Sequence, residues 1–225
     1  MAPDMLISLL WKGLLQTAHM VFVSSLVGTL IGLPIGVFLA TSNRGELFPA
    51  PALNKIVGAI VNATRSTPFI ILVVAIIPFT RFIAGTSIGT TAAIVPLTIA
   101  TIPFIARLIE SSIREVDRGL IEAARAMGAT PLQIVVKVLL PEALPSIVLA
   151  LTLTLVSLVG YSAMVGAVGG GGLGDLGIRY GYQRFMPDVM LAVVVILIVL
   201  VQLVQSIGEW IAARFDKRAP RNRGR

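Results

Sequence analysis

Gly119-Leu-Ile-Glu-Ala-Ala-Arg-Ala-Met-Gly128, running on to Leu140-Pro141, is a charged, helix-forming island between long apolar runs. Leu120, Ile121, Ala124 and Met127 fall on one helical face, with Glu122 and Arg125 beside it. Gly128 suits a left-handed helix terminus. Thr130-Pro131-Leu132-Gln133 then offers a capping hydroxyl, Pro at the first helical position and Gln at the third. Pro141 and Pro145 are expected to end this second helix before the next apolar run. The island therefore reads as two helices around a break at a membrane surface. An amphipathic helix lying on lipid is the competing reading, and the small Ala face speaks against it, because lipid-binding faces favour bulky Leu, Phe or Trp.

Working outward, the 225 residues are 56% hydrophobic and only 13% charged. With a mean hydropathy of +0.93, the chain is too apolar for an ordinary soluble domain. The charges also cluster. No Asp, Glu, Lys or Arg occurs between Lys12 and Arg44, Arg81 and Arg107, Glu142 and Asp175, or Asp188 and Glu209. Each interval covers the roughly 20 residues that a helix needs to cross hydrocarbon. A fifth candidate, Ile56 to Phe79, carries Arg65. Spans are expected near 18–41, 56–79, 90–113, 146–167 and 187–211. They must be helices, since a segment in hydrocarbon has to satisfy its own backbone hydrogen bonds and no barrel-like alternation is present. The expectation is an all-α polytopic membrane protein, a single domain over residues 1–225 with five transmembrane helices.

The first apolar run lacks a clean cleavage site and reads as a retained helix. The net charge of +7 could suggest nucleic acid, but its placement favours membrane topology. Arg214, Lys217, Arg218, Arg221, Arg223 and Arg225 crowd the tail at 212–225, and Arg107, Arg114, Arg118, Arg125 and Lys137 surround the island. Both regions are expected on the cytoplasmic side, with the N-terminus outside after five spans. The basic tail is expected to meet anionic lipid and not nucleic acid.

Gly28, Gly32 and Gly36 place a smooth stripe on the first span, fit for close packing within the chain or between two copies. Pro34 should kink that helix. Asn62 and Arg65 lie a turn apart at the inner end of the second span. An ionisable residue inside a span is a functional candidate, although Arg65 could simply snorkel to the interface. Val168 to Gly177 reads as a flexible outer loop. Its Gly172-x-Gly174-x-x-Gly177 matches a dinucleotide fingerprint in letters only, since it follows a membrane span and not a strand.

The chemistry inventory is sparse. His19 has no partner at metal-ligand spacing, no Cys is present and no phosphate-cradling G-x-x-x-x-G-K-[ST] occurs. Glu110 is the acid placed furthest inside an expected span, and Arg107, a turn earlier, could pair with it. No catalytic set, metal site or bound cofactor is expected. The chain reads as a pathway whose energy source lies elsewhere. In the fourth span Tyr161 and Met164 share a face, with Ser157 and Gly160 a turn earlier. These four are expected to line a translocation pathway; packing against neighbouring helices is the alternative for Tyr161 and Met164.

Glu122-Ala-Ala, three residues, Gly128, nine residues, then Val138-x-Leu140-Pro141 resembles the signature of ABC-importer membrane subunits, with Val in place of Ile. Arg65-Ser-Thr-Pro-Phe-Ile-Ile-Leu72, Ile77 to Gly89, Pro103-Phe-Ile-Ala-Arg107 and Leu158 to Met164 are similar to the methionine-importing ABC permeases. The resemblance runs from about residue 20 to 185. It implies a cytoplasmic coupling helix within a loop at 114–145, and a coupling surface of Gly119, Leu120, Glu122, Ala123, Ala124, Met127, Gly128, Leu140 and Pro141. It further implies a homodimer, two copies of a cytoplasmic ATPase that would bind ATP and magnesium, and an extracytoplasmic methionine-binding lipoprotein, all at a bacterial inner membrane.

Overall fold

Four helices are long and apolar enough to cross a membrane in the computed structural model, which describes residues 3–215. The first, α1 (Pro3–Thr41), begins well before the expected residue 18. The extension has a tertiary cause. Leu6, Leu9, Leu10 and Leu14 pack against the cluster of Leu173, Leu176, Val189 and Val193, so the extra turns bury apolar surface far away in sequence. The helix continues through Pro34.

The most extensive helix contact joins α1 to α5 (Thr90–Arg114). A Cβ at Gly32 would lie 2.8 Å from the carbonyl oxygen of Ile102, and one at Gly36 would lie 2.6 Å from that of Ala106. The glycine stripe thus packs within the chain, bringing two backbones together as small residues do in membranes.

The second span, expected near 56–79 with Thr67-Pro68 breaking its helix ladder close to Arg65, is interrupted there and again after Ala75. It is broken into α2 (Pro51–Ser66), α3 (Phe69–Ala75) and α4 (Ile77–Ala84), with 100° between α2 and α3. The residue before a proline is driven out of helical geometry, and Thr67 is extended at ψ 125°. Two helices at that angle cannot both follow the membrane normal. Taking the bent pair as one span gives five spans among the described residues.

After α5 the chain enters α6 (Arg118–Ala126), then α7 (Pro131–Ile134). Pro141 and Pro145 do not end the second helix as expected. It runs on through a π-helical turn at Val135–Leu139 into α8 (Leu140–Gly166). The amide of Leu140 donates to the carbonyl of Val135, five residues back. This wider turn ends just before Pro141, whose missing N–H and ring obstruct ordinary i−4 bonding.

The glycine-rich outer segment is also not a flexible loop. It folds as α9 (Gly172–Leu176) and a π-helical turn at Gly177–Tyr182, leading to α10 (Pro187–Phe215). Leu173 is fully buried. The amide of Gly172 donates to Gln16 Oε1 at 3.0 Å and that of Leu173 to Thr17 Oγ1 at 2.9 Å, pinning the segment to α1. Within the expected basic tail, Arg214 stacks over Trp210 at 5.4 Å. Lys217, Arg218, Arg221, Arg223 and Arg225 lie outside the described residues.

Candidate coupling surface and translocation pathway

The loop between α5 and α8 is held by local bonds at every turn. Asp117 caps α6, its Oδ1 accepting from the amide of Gly119 at 2.7 Å. Gly128 takes φ +79°, and the amides of Gly128 and Ala129 donate to the carbonyls of Arg125 and Ala124. That double closure is a Schellman terminus. Next, Thr130 and Gln133 form the expected capping box, with the Thr130 amide donating to Gln133 Oε1 at 2.9 Å.

The expected apolar face of α6 divides in two. Ala124 is buried and Ile121 packs beside it against Ile113, Val116, Ile134 and Leu139. Leu120 and Met127 point away, 42% and 82% exposed. Glu122, Ala123, Arg125 and Gly128 are exposed with them, as is Gly119. Leu132, 65% exposed, extends the apolar surface and was not marked by the signature. Its signal was available, because it follows Thr130-Pro131 in the first turn of a helix. Pro141 is exposed, while Leu140 is half-buried against the same cluster and braces the loop from behind. Ser146 Oγ donates to Glu115 Oε2 at 3.4 Å, tying α8 to the turn before α6.

Behind the loop lies a charged knot. Glu110, 4% exposed, is paired with Arg107 and, at 2.8 Å, with Arg114. Arg107 Nη2 also donates to Asn62 Oδ1 at 2.6 Å, joining α5 to α2. The expected Arg107–Glu110 pair is thus present, within a larger network that the sequence did not reveal. Its members come from distant stretches, and no local spacing links Asn62 to Arg107.

The pathway residues also separate. Tyr161 stacks on Phe69 with ring centroids 4.5 Å apart and planes inclined at 17°. Met164 is exposed, and a Cβ at Gly160 would meet nothing within 4 Å. Ser157 Oγ donates to the carbonyl of Leu153 on its own helix. Gly160 and Met164 therefore sit on a face this chain leaves uncovered, while Tyr161 turns toward the broken span. In front of Tyr161 a cavity of about 150 Å³ opens between α2, α3 and α5. Among the described residues no cluster of three or more His, Cys, Asp or Glu could hold a metal.

Residues 32–219 match the family described as binding-protein-dependent transport system inner membrane component. A relative in Vibrio cholerae serotype O1, a probable D-methionine transport system permease protein MetI, is 57% identical over 215 residues, covering 96% of this chain and 94% of its own. The D-methionine transport system permease protein MetI of Escherichia coli K12 is 59% identical over 158 residues, 70% of this chain and 73% of its own. A solved chain of the MetNI methionine ABC transporter, in an inward-facing conformation, superposes with a TM-score of 0.93 at 54% identity, covering 96% of this chain and 100% of that one. With its capped surface helix and its apolar spans, the chain belongs to the family of inner membrane components of binding-protein-dependent transport systems.

Proposed function

We propose that this chain is the membrane-spanning permease of an ATP-driven importer of methionine, working by alternating access as a two-fold homodimer. The observation that carries the reading is α6, a helix capped at both ends whose inner face joins the core while Glu122, Leu120 and Met127 project outward. Such a helix is a rigid knob, fit to enter a groove on a partner and transmit its movement. The partner is a cytoplasmic ATPase in two copies, which supplies the ATP and magnesium chemistry. An extracytoplasmic methionine-binding lipoprotein delivers the solute. Residues 114–145 form the coupling loop, on the cytoplasmic side with the C-terminus, and the N-terminus is periplasmic. One protomer has one such loop, so an ATPase dimer calls for two copies of this chain, and an isologous pair is the usual solution.

The uncovered face of α8 with Gly160 and Met164 is the part of the pathway that two protomers enclose, with Ser157 and Tyr161 beside it. Met164 offers a flexible, polarizable thioether there. Reconstitution with the ATPase and the binding protein, followed by uptake of labelled L- and D-methionine, tests the function. Uptake of another amino acid and not methionine would retain the permease and reject the substrate. Native mass spectrometry showing one copy of this chain per ATPase pair would exclude the homodimer. Replacing Tyr161 and Met164 together by Ala should lower uptake, or its coupling to ATP hydrolysis, more than it lowers complex yield. Wild-type uptake with unchanged basal hydrolysis would leave both residues in packing alone.

A further inference from the structure

Arg65 has no role in the coupling surface. It lies in the last turn of α2, beside the break at Thr67–Pro68, with its guanidinium carbon 6.0 Å from the ring centroid of Phe104. Phe104 stands ten residues before the end of α5 at Arg114, roughly 15 Å along the helix at 1.5 Å per residue. The guanidinium therefore lies beside the Phe104 ring, within the length of α5, on a side chain that this chain leaves exposed. Arg107, Arg114 and Arg179 each engage a carboxylate of this chain, whereas Arg65 forms no ion pair among the described residues. A cation within an expected span calls for an anion or water to reach it.

The cavity of about 150 Å³ opens directly onto this side chain. Arg65 and Thr64 stand at one end, and Phe69, Leu72, Phe104 and Tyr161 form apolar and aromatic walls. A space of about 150 Å³ is enough for a benzene-sized group. The arrangement is one planar, always-charged donor fork facing a pocket that suits a compact apolar chain. The 100° bend between α2 and α3 and the stacked Phe69–Tyr161 pair shape that pocket.

We propose that this cavity is a substrate subsite within the membrane pathway, in which Arg65 pairs with the free carboxylate of an amino acid and the aromatic walls take its apolar side chain. The inference rests on the permease reading and adds a residue that selects by charge. A guanidinium binds a carboxylate through two parallel hydrogen bonds. A thioether side chain gains from contact with ring edges, which Phe69, Phe104 and Tyr161 supply.

The test uses the intact complex of this chain with its ATPase in lipid nanodiscs, without the binding protein. Equilibrium dialysis compares labelled methionine with 3-(methylthio)propylamine, which has the same side chain and no carboxylate. Wild type is expected to bind methionine at least tenfold tighter than the amine. Arg65→Met should weaken methionine binding at least tenfold and bind the amine no more weakly than before; Arg65→Lys should keep part of the preference. Unchanged methionine affinity in Arg65→Met, an equal loss for both probes, or no methionine binding by wild type would overturn the subsite. Failure of the wild-type complex with its binding protein to import methionine would instead strike the permease reading, so the two failures are distinct.

Discussion

At Gly128 a Cβ would meet nothing within 4 Å, whereas at Gly174 it would sit 2.4 Å from the Cα of Ala163. The same residue type serves opposite ends of the molecule for opposite reasons. Gly128 lies in an exposed loop and is needed for its backbone, held at φ +79° to close α6. Gly174 and Gly166 lie in the buried outer segment and are needed for what they lack, since α8 and α9 touch backbone to backbone there. The proposed coupling loop is built from local bonds and shows side chains outward. The outer segment is built from contacts with α1 and α8, and its tight packing is complete within one chain. Substitutions should therefore separate: outer-segment changes damage the fold, and coupling-loop changes damage assembly.

Gly166→Ala provides the largest expected effect. Its Cβ would fall 2.3 Å from the amide nitrogen of Asp175, and backbone cannot give way as a side-chain tip can. A cost of about 3 kcal/mol, at the upper end for overpacking, should appear as a large fall in thermal midpoint and in folded yield. A wild-type midpoint in detergent would break the comparison at its firmest point.

Glu110→Ala should come next, at about 2 kcal/mol, because it leaves two guanidiniums facing one another without their acid; the figure is reduced from the fully buried case since both arginines reach solvent. Chemical unfolding of the detergent-solubilised protein measures it, and an unchanged midpoint would reduce the knot to decoration.

Gly128→Val should cost only about 1 kcal/mol, the penalty for a side chain in a left-handed backbone, since nothing crowds the site. Its sharper consequence is loss of ATPase coupling from a protein whose spans remain inserted. Purification of a stoichiometric, fully active complex from this variant would refute the coupling assignment.

Glu122→Arg should have the smallest effect on the fold, within about 0.5 kcal/mol for an exposed surface position. Charge reversal on the projecting face should nevertheless abolish co-purification with the ATPase. If stability and assembly fell together, the two regions would not differ as described.

The features legible in the sequence are those set by neighbours along the chain. Long charge-free runs dictated transmembrane helices, and the Gly128 terminus and the Thr130-Gln133 capping box depend on residues within a few positions of one another. The Glu122 surface was readable for the same reason, because a helical face is fixed by periodicity. The tertiary structure alone decided what depends on distant partners. It extended α1 over the Leu173 cluster, carried the helix past Pro141 through a π-turn, set the 100° angle at the Thr67-Pro68 break, and buried a glycine-rich stretch that composition describes as a loop. It also brought Asn62 to Arg107, and Arg65 to Phe104, across wide gaps in sequence. Hydrophobicity and capping act over a few residues and are written locally. Close approach of backbones and pairing of buried charges depend on where separate helices meet, and only packing in three dimensions determines that.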